Sequence, residues 1–207
     1  MNFINSIESI GVKNKGRVIV DLSKVKFASA AASVLFFAIV NRAQFLTRDP
    51  NFIRFKWPKK DDNPSGHRWI VGTGLARALL AGTEEKLNAL TREERYFQSA
   101  VLTSIVETVL MLQKSALLNN EQLGLLLTAI SEALLNVSHH AYEDEGFESD
   151  IQLLKGKRWW QCAWFNRDEN KVVLSFVTLD WGFIEVSCLM VMVIAFKTKY
   201  LLWKELC

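Results

Sequence analysis

The segment Ser131-Glu-Ala-Leu-Leu-Asn-Val-Ser-His-His-Ala-Tyr142 holds the residues of this chain best suited to chemistry. Glu132, Asn136 and His140 follow one another at intervals of four, so a helix places all three on one face. A carboxylate can accept a proton from water, while a carboxamide oxygen one turn away can ligate a hard cation. Mg²⁺ keeps several waters and takes few protein ligands beside substrate phosphates, so one Asn is chemically sufficient. Spacing alone equally describes the polar stripe of an amphipathic helix. The second element is Val172-Val-Leu-Ser-Phe-Val-Thr-Leu-Asp-Trp-Gly182. Asp180 leaves the end of an apolar strand and Gly182 follows two residues later, so a carboxylate can point at a ligand while the glycine backbone allows close approach.

The elements that must position these residues follow from patterning. Residues 16–21 read as a short β-branched strand and 28–46 as a mostly buried helix rich in Ala, Leu and Phe; together they make half of an α/β unit. A strand over 52–57 is followed by loop chemistry from Pro58 to Gly66, then by a short strand over 69–71. Gly72-Thr-Gly74 opens a small helix over 75–81. Thr91-Arg-Glu-Glu94 has the form of a capping box, predicting a helix from there to about Leu117; Asn119-Asn-Glu-Gln122 starts the next in the same way. That second helix carries Leu125, Leu126, Ala129, Ala133, Val137 and Ala141 towards a core. Strands over 158–165 and 171–179 form a hairpin through 166–170.

Glu-x-x-x-Asn followed by His-Ala-Tyr, a strand hairpin and then Asp-x-Gly resembles the N box and first glycine box of the GHKL ATPases, the histidine-kinase-like ATP-binding (Bergerat) fold. The resemblance spans roughly residues 91–182. It implies that Glu132 polarises the attacking water, that Asn136 is the Mg²⁺ ligand holding the triphosphate of ATP, and that Asp180 accepts a hydrogen bond from the adenine amino group. Gly182 would let the backbone pass close to the base, and His140, preceded by His139, would stand near the nucleotide. Residues 18–35, with an Asp-Leu-Ser turn and a small-residue segment before a helix, are similar to the STAS-type anti-sigma-factor antagonists; Ser29 and Ser33 stand where such domains can be phosphorylated. The fold class implied is α/β of the α+β two-layer sandwich kind. It comprises a STAS-like region over 1–85, a partial ATP-binding domain over 86–182 and an atypical hydrophobic tail over 183–207.

The family pattern stops after Gly182. Ile184 stands where its second glycine belongs, and the residues beyond hold no Gly or Pro, so neither an ATP lid nor a phosphate-cradling glycine segment is present. The chain is therefore expected to be truncated or frameshifted relative to that family, to bind nucleotide weakly and to lack full catalysis. With less of a sheet to pack against, its tail predicts marginal solubility; a short amphipathic membrane anchor is the rival account of the tail.

The remaining features bound the answer. Half of the 207 residues are apolar, which excludes a fully disordered chain, and the mean hydropathy is +0.10. The longest uncharged apolar stretch, 27–40, is shorter than the roughly 20 residues that span a bilayer, so no transmembrane segment is expected. Three cysteines without C-x-x-C spacing and an N-terminus unlike a signal peptide predict a cytoplasmic setting. Residues 1–70 carry 12 basic and 5 acidic side chains against 13 and 17 in the remainder, but the basic ones are scattered and only Lys59 and Lys60 are adjacent. Nucleic acid is accordingly not an expected partner. The alternative to a nucleotide-binding protein is a non-catalytic regulatory module that binds a partner protein through the STAS-like part and the paired helices.

Overall fold

The computed structural model describes residues 7, 16–93, 97–101, 106–140, 154, 158–179, 186–195 and 200–205. Strand β1 (Val18–Asp21) leads through an Asx turn, with Ser23 donating to the Asp21 carboxylate, into α1 (Ala30–Thr47). Ser29 caps α1 by accepting from the Ala32 N–H at 3.2 Å. The chain returns in β2 (Ile53–Lys56), which pairs parallel to β1 from Val18 opposite Ile53 to Asp21 opposite Lys56. The α/β half-unit expected from the first strand and helix is thus completed.

Short helical pieces follow: α2 (Pro64–His67), a π-helical turn (Arg68–Gly72), α3 (Leu75–Ala81) and α4 (Glu84–Arg92). Two sequence expectations are corrected here. Residues 69–71 lie in the π-helical turn, not in a strand. Its neighbour Gly66 sits where an added Cβ would collide with the Val25 carbonyl oxygen, so the helical piece is pressed against the loop before α1, and Asn63 Nδ2 ties it there by donating to the carbonyls of Ser23 and Val25. Thr91 lies in the last turn of α4, so it does not start a helix running to Leu117; β3 (Phe97–Val101) and α5 (Val106–Ala116) occupy that span. Phe97–Val101 finds a partner strand in residues 158–162, and pairing outweighs local helix propensity. Glu94 lies outside the described residues.

The second capping box forms as expected. The Asn119 N–H donates to Gln122 Oε1 at 3.0 Å and the Gln122 N–H to Asn119 Oδ1 at 2.9 Å, opening α6 (Asn120–His140). The hairpin β4 (Arg158–Asn166) and β5 (Lys171–Leu179) also forms, with Trp160 opposite Val177 and Asn166 opposite Lys171. The residues expected to be a poorly packed tail instead extend the sheet: β6 (Val186–Ala195) pairs along the whole of β5, and β7 (Tyr200–Glu205) pairs with β6. A run of Val, Met, Ile and Leu free of Gly and Pro suits a strand that has a long partner.

The five strands lie in the order β3-β4-β5-β6-β7, all antiparallel. The protein is of the α+β class, but helices pack on both faces of this sheet. One face, with Trp160, Cys162, Val177 and Leu179, shares a core with Val34, Phe37 and Ala38 of α1 and with Ala78 and Leu79 of α3. The other, with Trp159, Ala163, Leu174 and Phe176, packs on Leu112 of α5 and Leu126 and Ile130 of α6. Helix α1 is long and apolar enough, by length and composition, to cross a membrane, yet over half of it is buried in the protein. Its Asn41 accepts from Trp160 Nε1 at 2.9 Å and its Gln44 donates to the Leu79 carbonyl at 2.8 Å, polar contacts that match a core helix.

Arg158 is the most demanding buried group. Its guanidinium, 1 % exposed, donates to the Leu154 carbonyl, to Ser99 Oγ and to Glu84 Oε1, and lies 4.7 Å from the Phe45 ring centre. It thereby links α1, α4, β3 and β4. Replacing it by Ala strands the acceptors in the interior, so Arg158→Ala is expected to lower the unfolding free energy by about 3–5 kcal/mol in urea denaturation.

Candidate functional site

The helix expected to carry the chemistry is continuous from Asn120 to His140, so Glu132, Asn136 and His140 do lie on one helix at four-residue intervals. Leu126, Ala129 and Ile130 turn to the sheet and are buried, whereas Leu125, Thr128, Glu132 and Leu135 are exposed. Glu132 thus stands on the outward face of α6. The side chains of Asn136 and His140 lie outside the described residues, as do Asp180 and Gly182. The strand leading to Asp180 ends at Leu179, one residue before it, as the apolar run predicts.

Among the described residues no three His, Cys, Asp or Glu side chains come together as a cation site. One Asn with substrate phosphates would still satisfy Mg²⁺, so the donor set of Glu132 and Asn136 is chemically compatible with Mg-ATP. The buried face of the described part of α6 is apolar and offers no ligand.

Sequence reasoning missed three polar or concave features. On the face covered by α5, Gln98, Thr108 and Gln161 form a buried hydrogen-bonded trio: Thr108 Oγ1 and Gln161 Nε2 both donate to Gln98 Oε1 at 2.6 Å, and Gln161 Nε2 also reaches Thr108 Oγ1. Gln161 Oε1 and the nearby Trp159 Nε1 are buried without partners. The signal was available, since Gln98 and Gln161 each stand beside large aromatic residues in their strands. The second is Arg158, which the sequence marks only as the first residue of a strand. The third is a cavity beside the first half of α1, lined by Leu22, Val25, Phe27, Phe36, Ile70 and Leu75 among others. Its only hint in sequence is a run of alanines among large apolar residues. Cys162, completely buried, donates weakly to the Ala30 carbonyl at 3.7 Å, and burial pushes its thiol well above its usual range, so it stays protonated and inert near neutral pH.

No protein-family model matches the chain, and neither a curated protein nor a solved structure matches it.

The two faces of α6 differ sharply in what they hold up. Ile130→Ala is expected to cost about 2–5 kcal/mol of stability, while Glu132→Gln should leave it within about 0.5 kcal/mol, both read from urea unfolding. A large loss from Glu132→Gln would mean that this carboxylate is structural.

Proposed function

We propose that the chain is a nucleotide-binding protein of the histidine-kinase-like kind that holds Mg-ATP without efficient turnover. The observation that carries this reading is the pairing of one unbroken helix, bearing Glu132, Asn136 and His140 at four-residue spacing, with a strand that ends one residue before Asp180. In this reading Asn136 ligates Mg²⁺, Asp180 accepts from the adenine amino group, Gly182 gives the base room and His140 lies beside the phosphates. Glu132 is the candidate base, but its exposure supplies no second group to align a water, and the segment after Gly182 is committed to β6 and β7 instead of a phosphate cradle. Binding without rapid hydrolysis follows. The N-terminal β1–α1–β2 unit retains the STAS-like assignment as part of this proposal.

A second reading has its own support. Val106, Leu110, Leu117, Leu125 and Leu135 are exposed along α5 and α6, an apolar outer surface of the helix pair. This favours a non-catalytic regulatory module that docks on a partner protein.

Calorimetric titration with Mg-ATP separates the two. Saturable binding in the wild type that is weakened at least tenfold by Asn136→Ala and by Asp180→Asn, with phosphate release near background, is the expected result. Identical featureless heats from all three proteins up to millimolar nucleotide would overturn the nucleotide reading and leave the regulatory module.

A further inference from the structure

A cavity of about 330 Å³ lies beside the first half of α1. Well-packed interiors hold few voids larger than one water molecule, so a hollow of this size is not ordinary packing slack. It falls at the lower end of the roughly 300–1,000 Å³ typical of small-molecule sites. Of the side chains on its wall only Ser33 is polar and none is charged; Val25, Phe27, Phe36, Ile39 and Ile70 are among the rest. Phe27 and Ala32 line it and are themselves exposed, so the hollow communicates with solvent on that side. Phe27 is kept there by an edge contact with Trp69, with ring centres 5.0 Å apart.

Ser33 is the informative residue. Its backbone N–H donates to the Ser29 carbonyl at 2.9 Å, and the residue is only 7 % exposed. Its hydroxyl makes no hydrogen bond among the described residues, although a serine within a helix can turn back to the carbonyl four residues earlier. A desolvated hydroxyl without a partner costs stability, so an acceptor brought in from outside recovers what the fold leaves unused. A buried water makes about three hydrogen bonds, and the side chains of this wall offer one, so water is held poorly there. An ion would give up its hydration with no counter-charge in return, which excludes a charged occupant. What fits is a neutral, mainly hydrocarbon molecule with one oxygen. An apolar cavity of about 150 Å³ holds benzene, so one of about 330 Å³ accommodates about 10–13 non-hydrogen atoms.

We propose that this cavity binds a neutral, compact, mostly hydrocarbon molecule of that size whose single hydroxyl or carbonyl oxygen accepts a hydrogen bond from Ser33. The cavity lies on the α1 side of the sheet, opposite α6, so the inference does not rest on the nucleotide reading, and the titrations contain no nucleotide. 2-Naphthol is the probe for isothermal titration against the full chain. Naphthalene lacks its oxygen, and 2-naphthoate carries a charge on the same skeleton. Saturable binding of 2-naphthol is expected, with naphthalene about fivefold weaker for want of one hydrogen bond and 2-naphthoate at least about 100-fold weaker. Ser33→Ala should bring 2-naphthol down to the affinity of naphthalene and leave naphthalene unchanged, without lowering the melting temperature, because the hydroxyl it removes has no partner among the described residues. Ser33→Leu, which extends a hydrocarbon side chain into the same space, should abolish binding of both. Circular dichroism and thermal melting establish that each variant is folded, and Ser33→Ala, the smaller change, keeps the test decisive if Ser33→Leu does not fold. No saturable binding of 2-naphthol by the wild type, equal affinities for 2-naphthol and naphthalene, 2-naphthoate bound as tightly as 2-naphthol, or undiminished 2-naphthol binding by either folded variant would each overturn the proposal.

Discussion

Trp159 and Trp160 are adjacent in β4 and neither is accessible to solvent. Successive side chains leave a strand on opposite faces, so two consecutive buried indoles require that the sheet be covered on both sides. Most of the architecture serves that requirement. Helix α1 and α3 cover Trp160, whose Nε1 is satisfied by Asn41, while α5 and α6 cover Trp159, which packs on Phe176 at 5.4 Å between ring centres. The two indoles together place the helices from the first half of the chain and those from its middle on a single sheet.

The same requirement explains why residues 186–195 and 200–205 form strands. Strand β5 is apolar or buried at nearly every position, so its outer edge would otherwise expose backbone donors and acceptors next to a hydrophobic surface. Strand β6 pairs along its full length and removes that edge. The positive mean hydropathy is thereby accounted for by a central strand pair covered on two faces and by α1, whose polar Asn41 and Gln44 make contacts inside the protein.

Functional candidates divide along the same lines. The inner face of α6 is given to packing on the sheet, leaving Glu132 outside; whatever chemistry α6 performs must be done from its outer face or from its C-terminal end, where Asn136 and His140 fall. On the opposite side of the sheet, α1 meets β1, β2 and the short helical pieces imperfectly, because Ala28 and Ala32 are too small to fill the space between Phe27, Phe36 and Ile70. The void there is a consequence of packing a small-residue helix start against large neighbours.

Much was legible in the amino-acid sequence alone. Local chemistry decided α1, the β4–β5 hairpin, the reciprocal Asn119–Gln122 cap and the opening of α3 at Gly74, because each depends on residues within a few positions of one another. The spacing of Glu132, Asn136 and His140 on one helix was likewise readable from period alone. Tertiary structure decided the rest. Whether Thr91 begins or ends a helix depended on β3 finding β4, and whether 69–71 formed a strand depended on a partner edge that Asn63 and Gly66 deny it. The fate of residues 186–205, the outward facing of Glu132, the clamp around Arg158 and the cavity beside α1 all arise between segments far apart in the chain. Periodicity and capping are short-range quantities, and contacts of that kind are set only when the two faces of the sheet are filled.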